Sequence, residues 1–376
     1  MQDLLRPIEI LRPTTLAFGP GTLAGIAGWA RARSCARPLV IADAFNVSRV
    51  AALGLSPDIA VFGEVRPEPD VPNLEAALAA AASVQPDLVI GFGGGSAMDL
   101  AKLVAVLHGS DQALTDVVGA ERVRGRACAL VQVPTTAGTG SEAGTRALVT
   151  APATRNKLAV QSTHMLADLA VVDPELTLSV PPAVTAATGV DALAHCVEAY
   201  TNRRAHPLID LYALEGVRLV GRFLPRAIAD GSDLEARSGL ALASLYGGYC
   251  LGPVNTAAGH AVAYPLGTRH HIAHGAANAL IFPHVLAFNA PAVPERTAAI
   301  LAALGLPAVT SERDVFDVAH QFCASLGVEM RLSRLGVPEA DLGAMADEAH
   351  AIRRLLDNNP RELSRDQILN IYRAAC

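Results

Sequence analysis

Asp87-Leu88-Val89-Ile90-Gly91-Phe92-Gly93-Gly94-Gly95-Ser96, followed by Ala97 to Leu107, decides how the chain folds. The apolar run from Asp87 to Ile90 reads as a buried strand, and the segment behind the glycines reads as a helix. A glycine cluster at a strand-to-helix turn lets backbone N–H groups approach a phosphate at the helix N-terminus. Ser96 stands where a Gly-x-Gly-x-x-Gly pattern needs glycine, so the standard dinucleotide fingerprint is absent. A glycine turn by itself also serves simply as a tight loop.

Outward from this stretch, strand-like and helix-like segments alternate. Residues 8–18 read as extended and end at Gly19-Pro20-Gly21, and Thr22 to Arg33 is helical. Arg37 to Ala42 is a short apolar strand closing on Asp43, with a helix from Phe45 onward; Asp58 to Phe62 is a weaker strand; Asn73 to Ser83 is an alanine-rich helix. Val131-Gln132-Val133 is a further strand, and Pro134-Thr135-Thr136-Ala137-Gly138-Thr139-Gly140-Ser141-Glu142 follows it as a second phosphate-type loop. This alternation predicts a parallel, doubly wound α/β sheet. Ser179-Val180-Pro181-Pro182 stops the pattern, and helical segments dominate from there to the end. The expected domains are 1–180, α/β, and 181–376, all-α.

Composition narrows the class. The chain has 376 residues, 51% apolar and 18% charged, which suits a globular protein with a large core rather than a disordered one. A net charge of −6 with scattered basic residues excludes a nucleic-acid groove. Met1 to Phe18 is interrupted by Arg6, Pro7, Glu9, Arg12 and Pro13 and does not read as a signal peptide. Six cysteines without Cys-x-x-Cys spacing argue against zinc ribbons, iron–sulfur clusters and a disulfide framework, and point to the reducing cytoplasm.

Three pieces in the second half carry the chemistry: Ala187 to His195, Ala258 to Gly267, and His270 to Gly275. Asp191 and His195 stand four apart, on one helical face, in a segment apolar nearly all round. His260 lies in a run from Ser238 to Thr268 without Asp, Glu, Lys or Arg; glycines and prolines in that run suit a packed helix layer rather than a membrane span. Buried carboxylates and imidazoles need partners, either one another or a metal. Five of the eleven histidines fall between His260 and His284, and His284, followed by Val285 and Leu286, reads as a core residue.

These residues resemble the two signatures of the iron-containing, metal-dependent (group III) alcohol dehydrogenase family, with its dehydroquinate synthase-like fold. The likeness covers nearly the whole chain, because Gly93-Gly94-Gly95-Ser96 and the Pro134 to Glu142 loop match that family's nucleotide elements as well. The resemblance implies metal ligands Asp191, His195, His260 and His274, and Fe²⁺ or Zn²⁺ as the ion. It implies that the Gly93-Gly94-Gly95-Ser96 loop cradles the pyrophosphate, that Thr135, Thr136 and Thr139 line the nicotinamide side, and that Asp99 and Ser141 are also cofactor-binding. Asp43 has two readings: a carboxylate that accepts ribose hydroxyls and repels a 2′-phosphate, or a helix N-cap. The resemblance favours the first, hence NAD(H) over NADP. Lys157 is either a strand-edge lysine or a group reaching the cofactor. Many family members carry a further histidine four residues after the third ligand; Tyr264 stands there here. His271, three residues before His274, is a candidate to relay a proton or hold the substrate, and its other reading is a hydrogen-bonded surface histidine.

The expected activity is hydride transfer between NAD(H) and a small alcohol or its aldehyde or ketone, in a cleft between the domains, by a homodimer with no membrane partner. The alternatives are a maleylacetate reductase-like enzyme and a dehydroquinate synthase-like lyase.

Overall fold

The computed structural model describes residues 4–153 and 156–376. Two compact units are present: Ile10–Thr136 with Gly140–Leu178, and Ser179–Cys376 joined by Ala137–Thr139 and the described part of Met1–Glu9.

The first unit holds strands β1 (Thr15–Phe18), β2 (Pro38–Ala42), β3 (Ala60–Phe62), β4 (Leu88–Gly93), β5 (Gly119–Ala120), β6 (Ala129–Pro134), β7 (Arg146–Ala151), β8 (Asn156–Gln161) and β9 (Leu169–Val172). Its helices are α1 (Gly25–Ala32), α2 (Ala44–Val47), α3 (Val71–Val84), α4 (Gly95–Leu107) and α5 (Leu114–Val117). Six strands form a parallel sheet in the order β1-β9-β6-β4-β2-β3. Side-chain alternation explains why both faces are covered. Leu39, Ile41 and Val89 pack with Leu74, Ala77, Leu100 and Val104 on one side. Val40, Ala42, Leu88 and Ile90 pack with Ile26 and Ala30 on the other.

The strand order positions a site. From β2 the chain steps outward to β3, then returns past β2 to β4 and continues away to β6 and β9. The order reverses between β2 and β4, and ligands of such sheets lie outside the carboxyl ends at that switch. Those ends are Asp43 and the Gly93-Gly94-Gly95 turn.

Two features differ from the sequence reading. Only Thr15–Phe18 of residues 8–18 is strand, paired with β9 at the sheet edge; Pro7 and Pro13 lack the N–H that a longer ladder requires. A second, three-stranded sheet, β5-β8-β7, was not anticipated, and its β7–β8 pair is antiparallel. Thr154 and Arg155, two to three residues before Lys157, lie outside the described residues.

The second unit is helical: α6 (Pro182–Thr201), α7 (Pro207–Ala229), α8 (Leu234–Leu251), α9 (Ala258–His270) and α10 (His274–Asn289), then helices at Pro294–Leu304, Glu312–Ser325, Leu342–Ala351, Arg353–Leu356 and Arg365–Ala374. The charge-free run spans α8 and α9, and among the described residues no helix is long and apolar enough to cross a membrane. Helix α10 joins two cores. Ala279, Phe282 and Leu286 pack with α6 and α7 residues, whereas Ala277, Leu280 and Ile281 pack with α9 and the C-terminal helices. Polar side chains of α6, α9 and α10 meet between these cores.

Candidate functional site

Helix α6 presents Asp191, His195 and Glu198 at i, i+4 and i+7, one face of a helix. Helix α9 supplies His260, and His274 is the first residue of α10. The three expected histidine ligands converge on one oxygen of the fourth, Asp191. Asp191 Oδ1 lies 4.0 Å from His195 Nε2, 3.6 Å from His260 Nε2 and 3.6 Å from His274 Nε2. The rings of His195 and His260 are stacked with centroids 4.6 Å apart, and those of His260 and His274 are 5.4 Å apart. Asp191, His195 and His260 are buried, while the His274 side chain is 28% exposed, so the cluster is closed on three sides and open beside His274.

Protonation is fixed from behind. His195 Nδ1 faces the Gly138 carbonyl at 3.3 Å, and His260 Nδ1 faces Glu198 Oε1 at 2.6 Å. Both partners only accept, so each Nδ1 carries the proton and donates it, which leaves Nε2 to the centre. Burial would raise the Asp191 carboxyl, but His195, His274 and His260 outweigh it and hold the group well below the usual carboxylate range. Burial pushes His195 down to about 4, with the neighbouring His260 and His274 adding to the effect against Asp191. For His260, burial is outweighed by Glu198 and Asp191, and without a cation its pKa is pushed up to about 10, so that a proton sits on Nε2 where a metal ion would replace it.

A divalent cation fits this donor set. His260 Nε2 is buried with no hydrogen-bond partner, an expensive state for an imidazole nitrogen unless a cation occupies the space before it. Nitrogen and oxygen ligands at about 2.1 Å from one tetrahedral ion lie about 3.4 Å from one another. The 3.6 Å separations are close to that and too long for good hydrogen bonds. Three imidazoles and a carboxylate suit Fe²⁺ or Zn²⁺.

Sequence reasoning missed two residues of this centre. Glu198 holds His260, and Asn278, one turn after His274, donates from Nδ2 to Asp191 Oδ1 at 2.7 Å and contacts His274 Nε2 at 3.1 Å. The i+7 and i+4 spacings were visible in the sequence. Tyr264 is the ring that flanks the cluster, with its centroid 5.9 Å from that of His274. His271 is exposed at the C-cap of α9, with a left-handed φ of 55°.

In the α/β unit the expected cofactor residues gather at the switch point. Asp43 caps α2, with Oδ1 accepting from Asn46 N–H at 3.0 Å and Oδ2 from Asn46 Nδ2 at 2.8 Å. The helix-cap reading is therefore realised, and the carboxylate still borders the glycine turn: a Cβ added to Gly93 would sit 3.1 Å from Asp43 Oδ2 and 2.8 Å from Ala97 Cβ. Only glycine allows that approach. Gly94 is the N-cap of α4 and Gly95 its first residue, so the first N–H groups of the helix open at this turn. Thr135 N–H donates to the Gly93 carbonyl at 2.9 Å, and Asn46 Nδ2 reaches Thr135 Oγ1 at 3.3 Å. A Cβ on Gly94 would lie 3.4 Å from Thr136 Oγ1. The two loops thus form one surface; Thr139 groups with the helical unit.

Other expected cofactor contacts have internal partners. Asp99 accepts from Ser141 Oγ at 2.6 Å and from Leu148 N–H at 2.9 Å. Fully buried Lys102 donates to Ser141 Oγ at 2.7 Å and to the Arg146 carbonyl at 2.8 Å. This knot ties α4 to the second loop. Ser96 Oγ accepts from Glu68 N–H at 3.3 Å, and Lys157 pairs with the Glu68 carboxylate, so Glu68 links Lys157 to the glycine turn.

Comparison with known proteins agrees along the chain. Residues 13–174 match the family description iron-containing alcohol dehydrogenase, and residues 185–376 match the Fe-containing alcohol dehydrogenase family, C-terminal. Long-chain-alcohol dehydrogenase 1 of Geobacillus thermodenitrificans is 40% identical over 323 residues, 84% of this chain and 81% of that protein. The crystal structure of a 1,3-propanediol oxidoreductase superposes with a TM-score of 0.91 at 31% identity, covering 99% of this chain and 100% of that one. A sulfoacetaldehyde reductase from Bifidobacterium kashiwanohense, solved in complex with NAD⁺, gives a TM-score of 0.86 at 28% identity, covering 98% and 99%.

Proposed function

The chain belongs to the iron-containing alcohol dehydrogenase family, and from that premise we propose that Asp191, His195, His260 and His274 hold its metal ion, and that Asp43 and the two loops hold NAD(H). The activity is the family's: interconversion of an alcohol and its aldehyde or ketone by hydride transfer. The observation that carries the metal assignment is the convergence of three imidazole Nε2 atoms on Asp191 Oδ1 at 3.6–4.0 Å.

An Fe²⁺ held by Asp191, His195, His260 and His274 would supply Lewis-acid polarisation of the substrate oxygen, and a bound nicotinamide would supply the hydride acceptor or donor. The protein's own groups do the rest. Gly138 and Glu198 fix the tautomers of His195 and His260. The half-exposed side of His274, beside Tyr264, admits the substrate. N–H groups of the glycine turn and of α4 take the pyrophosphate, with Gly93, Gly94, Gly95 and Ser96 in contact, Asp99 and Ser141 bracing the loop behind them, and Lys157 beside it through Glu68. Asp43 takes the ribose, and Thr135, Thr136 and Thr139 take the nicotinamide side. His271, exposed three residues before His274, passes the proton to water.

The test is an NAD(H)-coupled assay on alcohols and aldehydes from short diols to long chains, run anaerobically with Fe²⁺ and with Zn²⁺. Turnover of a small alcohol or aldehyde with metal present, and its loss on chelation, is the expected result; metal-independent turnover overturns the reading.

We also propose a cytoplasmic homodimer. The six cysteines are all free, which suits a reducing compartment. Strand β1 leaves one sheet edge with Leu16 and Phe18 each more than a third exposed, and such an edge invites a partner strand. Light scattering at micromolar concentration should give twice the chain mass of 39.0 kDa; a monomer contradicts the assignment.

A further inference from the structure

Glu198 is a buried carboxylate that neither the ligand set nor the cofactor surface includes. It is 6% exposed, and each of its oxygens is committed. Oε1 accepts from His260 Nδ1 at 2.6 Å. Oε2 accepts from the backbone N–H of Ala257 and, at 3.4 Å, from that of His260. Helix α9 begins after Ala257, a residue whose side chain cannot cap it, and the N–H groups of Ala257 and His260 at its start are met from another helix. One carboxylate therefore grips both the backbone and the ring of His260.

The surroundings are shaped to keep this grip. A Cβ added to Gly259 would fall 2.6 Å from Glu198 Oε1, so any other side chain beside His260 would push the carboxylate off the ring. Glu198 also shares the α6 face with Asp191 and His195, and the one rigid helix thus sets two ligands and the partner of a third. A neutral cap would satisfy the backbone equally well. A carboxylate does more: it localises the Nδ1 proton, turns Nε2 towards Asp191, and increases the electron donation of the ring to a cation.

We propose that Glu198 is a positioning residue for the metal, acting through His260 to set metal affinity, and that Gly259 exists to admit it. This rests on the assignment of His260 as a ligand.

The experiment uses the purified enzyme, stripped of metal and titrated with Zn²⁺ against a competing chelator, for wild type, Glu198→Gln, Glu198→Asp and His260→Ala. Loss of an outer partner of this kind weakens metal binding by about 10–100-fold, and that is the expected shift for Glu198→Gln. The Co²⁺-loaded variant should also show displaced visible bands, which a purely structural capping role would not produce. Glu198→Asp, which keeps the charge one methylene further back, gives the same reading with a smaller shift and serves if the glutamine variant does not fold. Wild-type Zn²⁺ affinity and an unchanged Co²⁺ spectrum in a folded variant overturn the proposal. So does a lowered melting temperature in the metal-free protein with undiminished stabilisation on adding metal. His260→Ala separates the two assignments: if it retains metal, the ligand reading fails, whereas if it loses metal and Glu198→Gln does not, only the role of Glu198 fails.

Discussion

Replacing His260 with Ala is expected to leave the protein without stoichiometric metal and to lower turnover at least about a thousandfold. A Lewis acid is worth several kcal/mol to a reaction of this type, and ~4 kcal/mol corresponds to about three powers of ten in rate. Geometry makes His260 the most sensitive ligand. It is 2% exposed and stacked on His195, and its Nε2 is otherwise unpartnered. The substitution also leaves Glu198 without the ring it holds, although the N–H groups of Ala257 and residue 260 continue to donate to it. Leaving a buried acceptor short of one hydrogen-bond donor costs about 1–3 kcal/mol, so a lower melting temperature is expected alongside. Elemental analysis of the folded fraction, checked by circular dichroism, separates loss of metal from loss of fold. Stoichiometric metal in a folded His260→Ala protein would sink the ligand assignment.

Much of this centre was legible because helix geometry is local. Asp191 and His195 are brought together by four-residue spacing on α6, whatever the tertiary structure does. Recognising His260 and His274 as their companions needed the resemblance, since those residues come from other helices. Glu198 lies on the same face at the next turn, yet its meaning depends on a contact with a residue 62 positions later, which no local pattern encodes. Asn278 was hidden for the same reason. His271 was singled out by its closeness in sequence to His274, and the left-handed turn that ends α9 sets it on the surface, in reach of water.

The sheet was readable to a similar depth. Apolar runs ending in Asp43, in the glycine turn and in the Pro134 loop revealed β2, β4 and β6, because strands buried on both faces need continuous hydrophobicity. Sheet β5-β8-β7 escaped notice because its members are short or half-buried. Asp99 and Ser141 match the family motif by letter, but the structure gives their side chains to one another, to Leu148 and to Lys102. A motif can thus mark a loop whose side chains hold the loop in shape.

Cofactor choice is the sharper test of Asp43, because both of its readings now have to coexist. Its carboxylate caps α2 through Asn46 and borders Gly93 at the sheet's switch point. A 2′-phosphate beside it would place like charges within a few ångströms. Two unit charges 4 Å apart repel by about 4 kcal/mol at an effective dielectric near 20, and partial exposure and salt reduce this further. If about 1.4–2.8 kcal/mol survives, the discrimination is about 10–100-fold. Asp43→Gly should therefore raise the kcat/KM ratio of NADPH to NADH by that factor. The control is favourable, since glycine at an N-cap costs only a few tenths of a kcal/mol, so neither α2 nor the metal content should change. Thr135, joined to Asp43 through Asn46, should lose some order, and that loss would weaken NADH and NADPH alike without altering their ratio. If the wild-type enzyme already uses NADPH as efficiently as NADH, Asp43 is a helix cap and nothing more.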